Sequence, residues 1–262
     1  MRILISVCLL FLLAGCGAGG FGSSYKAYMD PLMSPDVIAL GEEEEPNLLR
    51  SNDLDHDVTL YREHNYVVVG ESAFNGIQEN QKNALKQAKN VGATHVIVTS
   101  EYTDTQSHLA YDYQDYYRTI YVNKVRSVNG KNVRVNEAVT IRDTVAVPYT
   151  RFYDNYDQAA VYLVKSARIR KLGLLMRDLS PAERNGLRRN TGAYIDLVLS
   201  NSPSFFANIL PQDVLINVNG TEVLNRLHAE ELISGLEFVK ETIVLSVLSQ
   251  GVKKDITLEF QE

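Results

Sequence analysis

The residues of this chain that could do chemistry are few, and their spacing excludes more reactions than it admits. Cys8 and Cys16 are the two thiols in 262 residues. Cys8 sits inside the apolar run from Ile3 to Leu13, while Cys16 follows the small residues Ala14 and Gly15. Ser72 lies in Gly70-Glu71-Ser72-Ala73-Phe74, between an expected strand and an expected helix. That is the context of a hydrolase nucleophile elbow, but the second glycine is missing and Phe74 would crowd the tight turn. Ser72 is therefore expected as a turn residue. The histidines His56, His64, His95, His108 and His228 show neither HxxxH nor HExxH spacing. A metal site would have to come from distant segments, so neither metal nor cofactor is expected. No catalytic constellation emerges, and the chain is expected not to be an enzyme.

The N-terminus reads as a secretory signal: Met1 and Arg2, then the apolar run, then Leu13-Ala14-Gly15-Cys16. The run is too short to persist as a membrane-spanning helix. These four residues resemble the lipobox of bacterial lipoproteins, in which the cysteine is diacylated and becomes the new N-terminus. The resemblance implies lipidation of Cys16, and two acyl chains suffice for stable anchoring. Gly17 stands where similar Gram-negative lipoproteins carry an inner-membrane retention aspartate. The implied location is the cell envelope, at the outer membrane, facing the periplasm. Residues 1–15 are then the signal peptide and 16–50 a lipidated tether rich in Gly, Ser, Pro and acid, including Glu42 to Glu45.

Charge narrows the partners further. The net charge is -6, and no basic cluster is evident, so nucleic acid is not an expected partner. No later apolar stretch reaches the ~20 residues that a second membrane helix needs.

The elements that must position any site fall into two domains, 51–166 and 167–262. In the first, Leu54, Val58 and Tyr61 recur at helical spacing, and Tyr66 to Gly70 is a β-branched run. A helix is expected from Gln78 to Val91, stopped by Gly92, followed by a strand from His95 to Ser100. Strand, helix and strand suggest a right-handed βαβ unit with parallel strands. The tyrosine-rich segment from Glu101 to Tyr117 is expected as a long loop or loose strand extension. Its tyrosines could form an adhesive surface, but the favoured expectation is that alternate tyrosines cover one face of a sheet edge. Asn129-Gly130 between alternating segments predicts a hairpin, and Ala159 to Lys165 a closing strand. The order of these elements is similar to the N-terminal half of a group of uncharacterised bacterial lipoproteins, which implies no activity.

In the second domain, Ser180-Pro181 opens a short helix, and Ala193 to Leu199, Val214 to Val218 and Ile243 to Val247 alternate as strands. Leu172-Gly173-Leu174-Leu175, then Ser202-Pro203, Leu210-Pro211, Asp213-Val214 and Asn219-Gly220, occur in that order. The ordered set resembles the PDZ domain that follows the protease in the high-temperature-requirement family of periplasmic serine proteases. The protease domain itself is missing. Asn208 and Gln212 stand where the family usually has glycine. Asn tolerates positive φ well, whereas Gln212 must either avoid it or carry strain.

The expected chain is α+β: a βαβ-plus-hairpin domain read from the order of elements, then, as the resemblance implies, a PDZ-like β-sandwich or barrel with two helices. The resemblance also implies a groove. A peptide would add as a strand beside Leu174, its terminal carboxylate meeting backbone N–H groups of Leu172, Gly173, Leu174 and Leu175. The helix from Leu227 to Leu236 would be the opposite wall, Leu232 and Leu236 lining the pocket for the last side chain. His228 would reach a Ser or Thr two residues before the ligand's end. The expected partners are protein C-termini or unfolded peptide segments in the envelope. The alternative is a structural envelope lipoprotein with a self-filled or permanently occupied groove.

Overall fold

The structure, a computed structural model, describes residues 20–236 and 242–258. The expected signal sequence and Cys16 lie outside the described residues. By its contacts the chain divides into two units. One comprises the chain up to Phe74, Glu79–Ser100 and the chain from Gln158; the other comprises Asn75–Gln78 and Glu101–Asp157.

The first unit begins with α1 (Gly20–Ser23), β1 (Lys26–Ala27), β2 (Val37–Ile38), β3 (Asn47–Arg50) and α2 (Leu54–Glu63). Strand β4 (Tyr66–Ile77) and helix α3 (Lys82–Asn90) come next, then the long strands β5 (His95–Val128) and β6 (Lys131–Ser166), which continue through the second unit. These strands form a sheet in the order β1-β4-β6-β5-β3, with β2 on β6. Its core joins Val69, Val96, Val98, Ala160, Tyr162 and Val164 to Ala84 and Ala88 of α3. Ala84 and Ala88 are four residues apart, so one narrow face of α3 lies on the sheet.

Three expectations change here. The strands flanking α3 do not pair with each other, because β6 lies between them. Contacts of Asn65 with Ser166 and of Asn75 with Asp157 show β6 running antiparallel to β4. The parallel partner of β5 is instead β3, with Asn47 opposite His95. The stretch expected as a tether is likewise tied down over its described part. Phe21 is 2% exposed in the core, and its ring meets Phe74 edge-on at 5.0 Å. Helix α3 also starts at Lys82 rather than Gln78, since β4 runs on to Ile77.

The C-terminal part of the first unit contains β7 (Leu174–Asp178), α4 (Pro181–Leu187), β8 (Ala193–Val198), α5 (Pro203–Phe206), β9 (Val214–Val218) and β10 (Thr221–Glu222). It ends with α6 (Arg226–Ser234), β11 (Ile243–Ser249) and β12 (Val252–Leu258). The sheet order is β12-β11-β9-β8-β7, with β10 on β9, so β7 is an edge. Leu172, Ile195, Leu215, Ile243 and Leu245 fill its core.

Helix α4 shows how closely local sequence sets its own ends. Ser180 Oγ accepts from Glu183 N at 3.3 Å while Glu183 Oε2 accepts from Ser180 N at 2.8 Å, a reciprocal capping box. Arg177 Nη1 donates to the same carboxylate at 2.7 Å, and its guanidinium lies 3.9 Å from the Tyr194 ring centroid. The Arg177 bond, aided by the Ser180 amide, holds the Glu183 carboxyl at about 2, below its ordinary 4.5. A depressed carboxylate stabilises the fold fully above its unfolded pKa and loses that contribution as pH falls toward the folded value. Glu183→Ala should therefore cost about 1–2 kcal/mol near neutrality, the size of a lost cap plus a partly solvent-screened pair. Urea midpoints at neutral pH and near pH 2 check this: the two proteins should converge at the acid end.

Candidate peptide-binding groove

The edge strand β7 and helix α6 leave an apolar trough between them, and the chain entering β7 closes one end of it. A cavity of ≈ 330 Å³ is lined by Arg168, Ile169, Arg170, Lys171, Leu172, Leu174 and Met176 on one side, and by Glu230, Ile233 and Ser234 of α6 on the other. Leu174 and Met176 alternate along β7, so both point to the same side. The register against β8 shifts between Leu175 and Met176, because Asp196 of β8 is an extra, unpaired residue there.

The expected site residues divide between the cavity and its support. Leu172 and Leu174 line it. Gly173 lies in the entry loop at φ 77, but its N–H donates to Arg170 O at 2.9 Å and so is turned inward. Leu175 lies on the opposite side of β7. On α6 the wall is built from Glu230, Ile233 and Ser234, whereas Leu232 and Leu236 pack against the core. His228 is at the first turn, its Nδ1 accepting from Leu224 N at 3.2 Å, and is not among the lining residues. A shift of about one position around α6 accounts for these differences, and periodicity alone does not fix that phase.

Sequence reading missed the charge at the loop end. Arg168, Arg170 and Lys171 converge on the cavity within four positions, which corrects the expectation that no basic cluster exists. The signal was visible as Arg168-Ile169-Arg170-Lys171 directly before Leu172-Gly173. Two of these side chains are held by turns of the N-terminal half. Arg170 Nη1 reaches Asn65 Oδ1 at 3.3 Å, and Arg168 pairs with Asp36. Burial, with Arg168 beside it, pushes the Arg170 guanidinium below its usual range, yet Arg stays protonated at any physiological pH. The half-buried cation thus stands beside an apolar slot.

The packing of the entry loop itself requires glycine at position 173. A Cβ on Gly173 would fall on Cβ and Oγ of Ser202. The collision is with the chain's own α5 cap rather than with an incoming strand. Asn208 and Gln212 both adopt positive φ, at 57 and 77, so the strain expected for Gln212 is present.

The other chemical candidates have structural roles. Ser72 is 1% exposed; its Oγ donates to Phe21 O at 2.6 Å and lies 3.3 Å from the Tyr162 hydroxyl. Burial pushes that phenol up to about 12, so neither group is an available base. His95 packs against the rings of Tyr61 and Tyr66, at 5.3 and 4.9 Å, which also meet each other at 5.1 Å. Among the described residues no group of three or more His, Cys, Asp or Glu is placed to hold a metal ion.

No family model and no curated protein matches the chain. Solved structures do. The HtrA3 PDZ domain bound to a phage-derived ligand (FGRWV) is similar over 34% of this chain and 81% of its own, at 22% identity and a TM-score of 0.29. The HtrA-type protease AlgW with a decapeptide is similar over 38% of this chain at 19% identity and a TM-score of 0.31, and the match spans 36% of the AlgW chain.

Proposed function

We propose that the chain is a non-enzymatic peptide-binding module that captures free protein C-termini in the groove between β7 and α6. The observation that carries this reading is the conjunction of an edge strand, an apolar slot and a basic loop end in one cavity. An extended peptide can add to the edge of β7 by main-chain hydrogen bonds, its alternate side chains entering the slot. Its carboxylate then lies at Arg168, Arg170 and Lys171, where a charge-assisted bond is strongest. Leu172, Leu174, Met176 and Ile233 offer the last side chain an apolar environment.

The test is saturable binding of peptides ending in a free carboxylate and an apolar residue to the full chain. Met176→Asp puts a carboxylate in the slot, where it competes with the ligand's own for the cations, and should remove binding while leaving the β7–β8 ladder intact. A randomised C-terminal library without a single carboxylate-dependent binder would sink the reading.

The module is, in this proposal, a lipoprotein held through Cys16 at the periplasmic face of the outer membrane. The support is the ordered signal of apolar run, small residues and cysteine. No helix of the described residues is long and apolar enough to cross a membrane. Cys16→Ser should leave the protein mostly in the soluble periplasmic fraction, since the anchor depends on one thioether. Retention of the variant on carbonate-washed membranes would show that another anchor exists.

A further inference from the structure

The second unit is a two-stranded ribbon, and its composition does not suit a ribbon left alone. From Glu101 to Asp154 no residue is buried. Large apolar side chains stand exposed on both faces, Tyr113, Tyr117 and Tyr121 on one, Val133, Val145 and Val147 on the other. Isolated two-stranded ribbons are marginal in water, and free strand edges invite pairing. Among the described residues, β3 covers the outer edge of β5 only at His95–Val98.

The register tells which edge is open. Asn129 and Gly130, both at positive φ, make a two-residue turn. Asp115 lies opposite Thr144, and Thr105 opposite Asp154, so one register holds between Thr105 and Asp115. Residues flanking such a turn form a hydrogen-bonded pair, so even-numbered residues of β5 bond to β6 and odd-numbered ones face outward. In β6 the even-numbered residues face outward, and Pro148 is one of them. It removes a donor from that edge. The outer edge of β5 contains no proline.

We propose that this edge of β5 pairs antiparallel with the same edge of a second copy of the chain, about a two-fold axis at Asp115. β5 is charge-complementary to itself read backwards around that point. Asp112 comes opposite Arg118 of the second copy, and Asp104 opposite Arg126 of the second copy. Tyr113 faces Tyr117 of the second copy, and Leu109 faces Tyr121 of the second copy. Asp112 and Arg118 fall in non-hydrogen-bonded pairs, where facing side chains are closest. The one like-charge encounter is Asp115 with itself, and each copy already neutralises it: Arg142 pairs with that carboxylate and Thr144 Oγ1 donates to it at 2.9 Å. An isologous pairing closes on itself, so the product is a dimer and not a filament.

Sedimentation of the full chain in detergent should show a concentration-dependent dimer. Asp112→Arg should weaken it about tenfold, because two symmetry-related contacts turn repulsive. Adding Arg118→Asp should restore it, since the reversed charges face each other again. Under mild oxidation Asp115→Cys should link two copies, whereas Asn123→Cys, which faces Ser107 of the second copy, should link no more than the unsubstituted protein. A monomer at every concentration, a double reversal no tighter than the single, or equal linking at 115 and 123 would each overturn the proposal.

Discussion

Amidating the terminal carboxylate of a bound peptide is expected to weaken it by about tenfold to a hundredfold, the loss of one charge-assisted hydrogen bond worth about 1.5–3 kcal/mol. The size reflects where the cation sits. Arg170 is half-buried and braced by Asn65 Oδ1 at 3.3 Å, so its geometry does not have to be ordered on binding and salt screens it only in part. Arg168, committed to Asp36 on an exposed surface, contributes less. Arg170→Ala should therefore shrink the difference between acid and amide peptides by at least about fivefold, and the coupling from this double cycle isolates the contact. Asn65→Ala should have a smaller effect of the same sign, since it frees the guanidinium without removing it. Fluorescence anisotropy with one peptide in acid and amide forms measures all of these. Equal amide penalties in Arg170→Ala and in the unsubstituted protein would place the carboxylate elsewhere.

How far the sequence disclosed this architecture depended on whether a signal was local. The hairpin turn at Asn129-Gly130, the helix start at Ser180-Pro181, and the alternation of β8, β9 and β11 are set by neighbours in the chain, and all were legible. The place of β6 between β4 and β5 was not, because strand order is a long-range property that periodicity does not encode. The ordered character of Gly20 to Arg50 was hidden for a related reason. Their strands are only two to four residues long, too short to show alternation, and Phe21, Tyr25, Met29, Val37 and Leu48 reach the core from separate short pieces. The tyrosine-rich segment has apolar and polar residues on both faces, so its strand character was masked; the structure makes it part of one 34-residue strand. At the groove, Leu172 and Leu174 were legible from ordered motifs. Ile233 and Glu230 were not, because a helix wall depends on rotation about its axis. The basic loop end was present in the sequence but lay within a stretch read only for its leucines and glycine.

Gly173→Ala should destabilise the full chain by about 2–4 kcal/mol, and the cause can be divided by a second substitution. One part is conformational. Gly173 has φ 77, and an L-residue held in the left-handed region costs about 1–2 kcal/mol. The other part is steric. The new Cβ would overlap Cβ and Oγ of Ser202, a buried residue whose hydroxyl accepts from Phe205 N at 3.2 Å to cap α5. Overpacking of this kind costs about 1–3 kcal/mol. Backbone relaxation is restricted, because Leu199 N donates to Gly173 O at 2.7 Å and Ser204 N to Leu172 O at 3.2 Å. Ser202→Gly removes the obstructing side chain at a cost of only a few tenths of a kcal/mol in capping. Combined with Gly173→Ala it should recover the steric part and leave the conformational part. Chemical denaturation of the four proteins gives the cycle. Additive losses would mean that Ser202 does not limit the loop, and the glycine would then be required by its φ alone. Peptide binding should change in the same order, because the loop that places Arg170 and Leu172 at the cavity is the loop the collision displaces.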